Sequence, residues 1–224
     1  MAAFKRALSL GATFIETDLQ LSRDARFVAM HDPTVDRTTN GRGAVHDLTL
    51  AELRRLDAGS WFGSEFSGER IPTLEETLEF SKLYDALFYL EVKAGPYGGE
   101  HGLISPLRES GEIRRVVVIS FDPSTLETLR TIEPTLMTGL LYDGQLAQPT
   151  ATAVEIGARQ VAVRSDLLTP ALLLEARKND LQVVCWTVNY PAHIRVLIDA
   201  GVDGIITDYP DRVLAARGKE KQLD

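Results

Sequence analysis

The sequence has little cysteine, no long apolar run and no excess of positive charge. Its one cysteine, Cys185, excludes an intrachain disulfide and a zinc site made of several thiolates. Cys185 lies in the apolar run of residues 183–186, which favours a buried strand residue over a nucleophile. With 24 Lys and Arg against 32 Asp and Glu, the net charge is −8. The chain therefore has no overall basic field, and we do not expect it to bind nucleic acid.

No apolar segment is long enough to cross a bilayer. Runs such as residues 116–119 have only the length of a strand. The chain begins with a short amphipathic stretch that carries Lys5 and Arg6, where an export signal would have an apolar segment. We therefore expect a cytoplasmic protein without a stable membrane anchor, although a segment upstream of Met1 could hold a signal. The sequence does not indicate an oligomeric state.

Helical and strand-like segments alternate along most of the chain. The strand-like segments are almost continuously apolar, which is typical of a parallel sheet covered by helices. A (β/α)8 barrel needs eight such strands, but the chain opens on a helix at residues 2–10. We predict an α/β fold, a TIM-type barrel that lacks its first strand. The seven strands that we identify centre on Phe14, Tyr89, Val117, Leu140, Val161, Val184 and Ile205.

Three segments depart from this alternation. Residues 32–70 are rich in Thr, Asp, Gly and Arg, with one helical stretch at residues 50–56, and we predict an insertion there. The Gly-rich segment around His101 is predicted to be a loop. The chain after Arg217 is polar, and we expect it to fray. The predicted organisation is one barrel domain over residues 1–217, with the insertion at about 32–70, followed by a polar tail at residues 218–224.

Two acidic residues share one face of the first predicted strand. Glu16 and Asp18 are two residues apart, so both side chains leave the strand on the same side. Burying two anions is costly unless a cation compensates their charge. Oxygen ligands favour Mg²⁺, Mn²⁺ or Ca²⁺ over zinc. The alternative is a strand end whose acids are solvated.

Glu91 and Lys93 form a similar pair in the next predicted strand. They share a face and carry opposite charges. One interpretation is a simple ion pair near the barrel mouth. The other makes Glu91 a third metal ligand and Lys93 a phosphate contact. Both charged pairs lie towards the carboxyl ends of their strands, where barrel active sites are assembled, and this shared placement favours the metal site.

His31 ends a short extended segment and is followed by turn residues. A histidine in this setting suits a general acid or base near neutral pH. The alternative is a histidine on a surface loop. His46, His101 and His193 lack a comparable setting, so we assign them no catalytic role.

Seven short motifs give the chain a specific resemblance. Taken together and in this order, they resemble the bacterial type of glycerophosphodiester phosphodiesterase, and they cover nearly the whole chain. They are the runs at residues 11–21, 31–43, 71–76, 90–93, 120–122, 186–189 and 201–210.

The resemblance implies a fold, a reaction and a set of site residues. The family fold is an eight-stranded barrel with a small insertion after the second strand. The implied reaction is the metal-dependent hydrolysis of glycerophosphodiesters to glycerol 3-phosphate and an alcohol, with Mg²⁺ or Ca²⁺, or alternatively Mn²⁺. The residues that match the family's metal ligands are Glu16, Asp18 and Glu91, and the others are the catalytic His31, the phosphate-site Lys93 and the substrate-pocket Trp186.

The chain departs from the family at two motifs. In the family, a His-Arg-Gly segment ends the first strand and a Pro-Glu-Asn segment follows soon after, and neither occurs here. The first supplies a second histidine for proton transfer and an arginine that holds phosphate. We therefore expect the chain to be weakly active or inactive. The alternatives are an inactive homologue that binds glycerophosphodiesters and a related phospholipase-type phosphodiesterase.

Overall fold

The structure, a computed structural model, describes residues 1–93 and 99–218. The predicted polar tail lies outside the described residues from position 219 onward. None of the helices in the described ranges combines the length and the hydropathy that a bilayer crossing requires.

The described residues form one curled sheet with helices packed against it. In chain order the strands are β1 (Phe14–Leu21), β2 (Phe27–Ala29), β3 (Leu87–Val92), β4 (Val116–Ser120), β5 (Met137–Tyr142), β6 (Gln160–Arg164), β7 (Gln182–Trp186) and β8 (Gly204–Ile205). The helices are α1 (Ala2–Ser9), α2 (Leu50–Leu53), α3 (Leu74–Tyr84), α4 (Glu100–Ser110), α5 (Pro123–Ile132), α6 (Pro149–Glu155), α7 (Pro170–Lys178), α8 (Pro191–Ala200) and α9 (Pro210–Gly218).

The sheet is a barrel that does not close. β1 pairs in parallel with β3, and each later strand up to β8 pairs in parallel with its predecessor. β2 pairs antiparallel with the end of β1, so the strand order runs β2-β1-β3-β4-β5-β6-β7-β8. Among the described residues β8 does not pair with β1, and a cavity of about 1000 Å³ lies between these two strands, α1, α9 and the insertion. The predicted series of seven parallel strands in an incomplete barrel is confirmed.

Apolar side chains fill both faces of the parallel strands. Leu90 and Val118 are fully buried between the sheet and the helices, while Val117 and Ala162 are buried on the inner face. Burying one Val or Leu side chain contributes about 1.5–3 kcal/mol. Burial on both faces explains why these strands have nearly continuous apolar sequences.

The insertion has a small core of its own. Its buried residues include Val35, Val45 and Leu53, and they pack together with Val28 of β2 and with Ile71. This cluster is separate from the main core. Residues 32–70 are therefore mostly polar but contain a few buried apolar side chains. Their packing against Val28 of β2 holds the insertion beside the carboxyl end of β1.

Two helices were absent from the sequence prediction. His101 lies in α4 and not in a loop, so that prediction was wrong. The segment contains Gly102 and Pro106, which disfavour a helix interior. Its apolar residues Leu103 and Leu107 are nevertheless fully buried, and their packing outweighs the low propensity. α9 was also not predicted because its sequence has a weak apolar pattern. Two of its residues, Val213 and Ala216, pack on the main core.

Candidate metal and catalytic site

Three acids meet where the middle of β1 pairs with the carboxyl-terminal part of β3. The parallel register of these strands places Asp18 directly beside Glu91. Glu16 lies two residues before Asp18 and shares its face of β1. Carboxylate oxygens of these three residues all lie within 4.8 Å of one another. Local strand periodicity brings Glu16 and Asp18 together, and the strand register adds Glu91.

Burial and mutual repulsion disfavour the ionised forms of these acids. Burial raises the pKa of Glu16 to about 8, and the negative charges of Asp18, Glu91 and Asp208 add to the increase. Burial also raises the pKa of Glu91, although Lys93 opposes that change. The cluster is therefore short of positive charge.

Lys93 supplies part of that charge. Its Nζ lies 2.5 Å from Asp18 Oδ1 and 2.5 Å from Glu91 Oε1. Burial lowers the pKa of the Lys93 ammonium, but its hydrogen bonds to the two carboxylates outweigh that effect, so the pKa is raised. The ion pair considered from the sequence is present, and it extends across to β1. Lys93 is thus held at the edge of the cluster.

The donor set fits a hard divalent cation. All three donors are carboxylate oxygens, which Mg²⁺, Mn²⁺ and Ca²⁺ prefer. Two oxygens that bind one ion at up to about 2.6 Å lie at most about 5.2 Å apart, and the 4.8 Å span of the cluster satisfies this limit. Glu16, Asp18 and Glu91 are therefore the residues that could hold such an ion.

His31 lines the same cavity as Glu16 and Asp18. Its Nδ1 lies 2.8 Å from Asp32 Oδ1. Arg37 donates to both oxygens of Asp32, from Nε at 2.6 Å and from Nη2 at 2.8 Å. These bonds, first those from Arg37 and then that of His31, hold the pKa of Asp32 well below its usual range. An ionised carboxylate only accepts hydrogen bonds, so Nδ1 carries the proton and Nε2 is left for other partners.

Trp186 lies at the carboxyl end of β7. Its Nε1 donates to the carbonyl oxygen of Ala162 at 2.8 Å, and its ring meets Phe121 edge-on with centroids 5.6 Å apart. Among the described residues, Trp186 does not belong to the lining of the cavity that holds Glu16 and His31. Trp186 packs against the inner-face cluster that includes Tyr89 and Val117.

Sequence reasoning missed three polar residues near the site. Asp32 and Arg37 orient His31, and the only signal for them was that they follow it closely in a polar segment. Asp208, which follows β8, lines the cavity with Glu16 and raises the pKa of that residue. Asp208 lies 190 residues after Asp18 in the sequence. No local sequence pattern therefore connects the two residues.

Comparisons with known proteins show which family the chain resembles. The model of the "Glycerophosphoryl diester phosphodiesterase family" matches residues 1–212. A glycerophosphodiester phosphodiesterase of Caldanaerobacter subterraneus subsp. tengcongensis is 42% identical over 217 residues, which cover 96% of this chain and 89% of the relative.

Two solved structures have a similar fold. An Oleispira antarctica phosphodiesterase in complex with the product sn-glycerol-3-phosphate superposes with a TM-score of 0.88 at 26% identity, over 97% of this chain and 90% of that one. A glycerophosphodiester phosphodiesterase of Agrobacterium tumefaciens gives a TM-score of 0.83 at 30% identity, over 96% and 91% of the two chains.

Proposed function

The chain belongs to the glycerophosphoryl diester phosphodiesterase family, and from this premise we propose that it hydrolyses glycerophosphodiesters to glycerol 3-phosphate and an alcohol. The observation that carries this proposal is the cluster of Glu16, Asp18 and Glu91 within 4.8 Å, in a cavity that His31 also lines. We propose Mg²⁺ or Ca²⁺ as the cation, with Mn²⁺ as an alternative. One domain over residues 1–217 and a cytoplasmic location are further parts of the proposal.

The proposed roles follow from the charge of each group. A divalent cation at the three carboxylates would neutralise charge that develops on the phosphate oxygens. Lys93 would hold a phosphate oxygen, because its ammonium already lies between Asp18 and Glu91. Trp186 would offer an apolar surface to part of the substrate from the β7 side of the mouth.

His31 would protonate the oxygen of the leaving alcohol. The hydrogen bond from Nδ1 to Asp32 leaves Nε2 for this transfer. Asp32 stays ionised because Arg37 donates two hydrogen bonds to it. Because Nδ1 keeps its proton on Asp32, donation from Nε2 requires the form of His31 in which both nitrogens carry a proton.

A second candidate function is binding without turnover. Among the described residues, His31 is the one histidine in the lining of the cavity. A phosphodiester hydrolysis that needs both a general base and a general acid would then lack one of them. This observation favours an inactive homologue that retains the cation and binds glycerophosphodiesters.

A phospholipase-type activity is the third possibility. Trp61 and Phe62 line the cavity and are 50% and 73% exposed. An exposed aromatic pair beside a site can contact an apolar group of a ligand. Lysophosphatidylcholine, compared with glycerophosphocholine, tests whether an acyl chain improves the substrate.

The deciding measurement is the release of glycerol 3-phosphate from glycerophosphocholine, with Mg²⁺, Ca²⁺ or Mn²⁺ and with EDTA. We expect release that depends on the cation. Glu91→Gln should abolish the cation-dependent release of glycerol 3-phosphate, and His31→Asn should lower kcat by about 10²- to 10⁴-fold. Asp32→Asn should give a smaller loss than His31→Asn and an altered pH profile. Glu155→Gln, an exposed acid on α6, is the matched control.

The outcomes separate the candidates. Thermal stabilisation by glycerophosphocholine at saturating cation, without any release, would support the binding homologue. A folded chain that neither releases glycerol 3-phosphate nor binds the diester would contradict both. Faster release of choline from lysophosphatidylcholine, with lysophosphatidic acid as the other product, than from glycerophosphocholine would instead favour the phospholipase-type activity.

A further inference from the structure

Asn189 and Asp208 connect the loops that follow β7 and β8. The side-chain amide of Asn189 donates from Nδ2 to Asp208 Oδ2 at 2.6 Å. Its Oδ1 accepts from the backbone N–H of Asp208 at 3.0 Å and from the Thr207 hydroxyl at 3.1 Å. Both ends of one amide group therefore determine where the Asp208 carboxylate lies.

Additional contacts hold this pair of loops. Arg212 donates from Nη1 to the carbonyl oxygen of Asn189 at 2.7 Å. The same guanidinium lies 3.6 Å from the centroid of the Tyr209 ring. The Val188 N–H donates to the carbonyl of Ile206 at 2.9 Å. Asp208 itself is exposed, so burial does not restrict its side chain. The hydrogen bond from Asn189, together with the contacts that hold the two loops, limits the rotation of its carboxylate.

The Asp208 carboxylate shares a cavity with the three-acid cluster. Asp208 lines the cavity together with Glu16 and Asp18, and it approaches them from β8, across the open side of the barrel. It is not among the acids whose oxygens lie within 4.8 Å of one another. Asp208 therefore shares the cavity of the cluster without belonging to its three closely spaced acids.

We propose that Asp208 is a positioning residue of the divalent-cation site and that Asn189 sets its orientation. This inference rests on the proposed function, since it assumes a cation at Glu16, Asp18 and Glu91. Mg²⁺ in proteins usually keeps several water ligands, and carboxylates outside the ligand set accept hydrogen bonds from them. Asp208, which follows β8 and lines the same cavity, would accept such a bond from a water ligand of the cation.

The test is calorimetric titration of Mg²⁺ and Mn²⁺ into the substrate-free chain. Asp208→Asn keeps the shape and still accepts from Asn189, but it loses the charge. We expect it to weaken cation binding about 10- to 100-fold, as removal of an outer carboxylate typically does. Asn189→Ala should weaken binding in the same direction. Asp211→Asn removes an equal charge from an exposed position three residues further on, and it should bind within about twofold of the unaltered chain.

Melting in EDTA separates this role from a purely structural one. Without a cation, Asp208→Asn should have the same melting temperature as the unaltered chain. When Mg²⁺ is added, its melting temperature should rise less than that of the unaltered chain. Equal affinities of Asp208→Asn and the unaltered chain would overturn the inference and leave the proposed function standing. If the unaltered chain binds no cation and Glu91→Gln changes nothing, the proposed function fails and this inference fails with it. If Asn189→Ala does not fold, Asp208→Asn alone decides.

Discussion

Glu16 is an acid whose ionised form the fold opposes. Its carboxylate shares a face of β1 with Asp18, the charges of Glu91 and Asp208 act on it, and the positive charge of Lys93 lowers its pKa. A group in this position stores electrostatic repulsion that a divalent cation relieves. At the residue scale, the cost of burying these charges is what links the site to a cation.

The raised pKa of Glu16, caused first by burial and then by the neighbouring negative charges, predicts how the stability of the cation-free chain depends on pH. The pKa of Glu16 is about 8 in the folded chain against an ordinary value of 4.5. Between these values the folded chain keeps a proton that the unfolded chain loses. The free energy of unfolding should therefore decrease as pH rises from about 4.5 to about 8. Urea unfolding in EDTA at several pH values measures this decrease.

Glu16→Gln is the control for that measurement, because it removes the titrating group and keeps the size. Other groups also titrate, and the low pKa of Asp32 contributes stability that is lost at acid pH. The difference between the two proteins isolates Glu16. Identical pH dependence in both proteins would contradict the assignment. Saturating Mg²⁺ should reduce the difference, because the cation binds the ionised carboxylate.

At the scale of elements, one glutamate joins the insertion to the barrel. Thr73 and Glu76 form a capping box at the start of α3, with Oγ1 of Thr73 accepting from the Glu76 N–H at 3.1 Å and the Thr73 N–H donating to Glu76 Oε2 at 3.0 Å. Arg54 of the insertion donates to both oxygens of Glu76, at 2.8 and 2.6 Å, and also to the carbonyl of Ile71. The helix start and the insertion therefore share one carboxylate.

Removing the cap should destabilise the protein by a measurable amount. We expect Thr73→Ala to cost about 0.5–2 kcal/mol, as loss of a side-chain N-cap does. Glu76→Ala should cost more, because it also leaves Arg54 without its carboxylate partner. Urea unfolding gives both values.

Thr131→Ala is the matched substitution for the capping experiment. Thr131 is an exposed threonine within α5 whose hydroxyl donates to the carbonyl oxygen of Glu127. An exposed substitution of this kind should change the stability by at most about 0.5 kcal/mol. Equal losses for Thr73→Ala and Thr131→Ala would show that the cap adds nothing.

At the scale of the whole molecule, the open side of the sheet governs where stability is low. β4 and β5 each have a paired strand on both sides, whereas β8 has two residues and, in the described part of the chain, pairs only with β7. An unpaired strand edge is also a site where chains can associate. Strands β3 to β7 contribute buried apolar residues to the clusters on both faces of the sheet. The two residues of β8 are only partly buried.

Hydrogen exchange should reveal this gradient. We expect the amides of β4 and β5 to exchange only through global unfolding, and those of Gly204 and Ile205 to exchange much faster through local opening. β7 is the internal comparison, because it has neighbours on both sides. Mass spectrometry of peptic peptides resolves the three regions. Equal protection of β8 and β4 would mean that the barrel is more complete in solution than the strand pairing indicates.

Much of the fold was predictable because its signals are local. A run such as residues 116–119 is apolar throughout, so it indicates a strand buried on both faces without any knowledge of its neighbours. Glu16 and Asp18 had to share a face because strand side chains alternate with a period of two. α4 was missed for the opposite reason: Gly102 and Pro106 weaken the local signal, and the buried Leu103 and Leu107 compensate only once the main core exists.

The sequence by itself determined the parallel strands, the paired acids on β1 and the position of His31, because each depends on residues close together in the chain. Only the tertiary structure decided that Asp18 lies beside Glu91, that Lys93 bridges them, and that Asp208 faces the same cavity. Each of these arrangements includes a contact between residues that are far apart along the chain, such as that of Lys93 with Asp18. They depend on strand register and barrel curvature, which arise from packing over the whole molecule and leave no periodic trace in a local stretch of sequence.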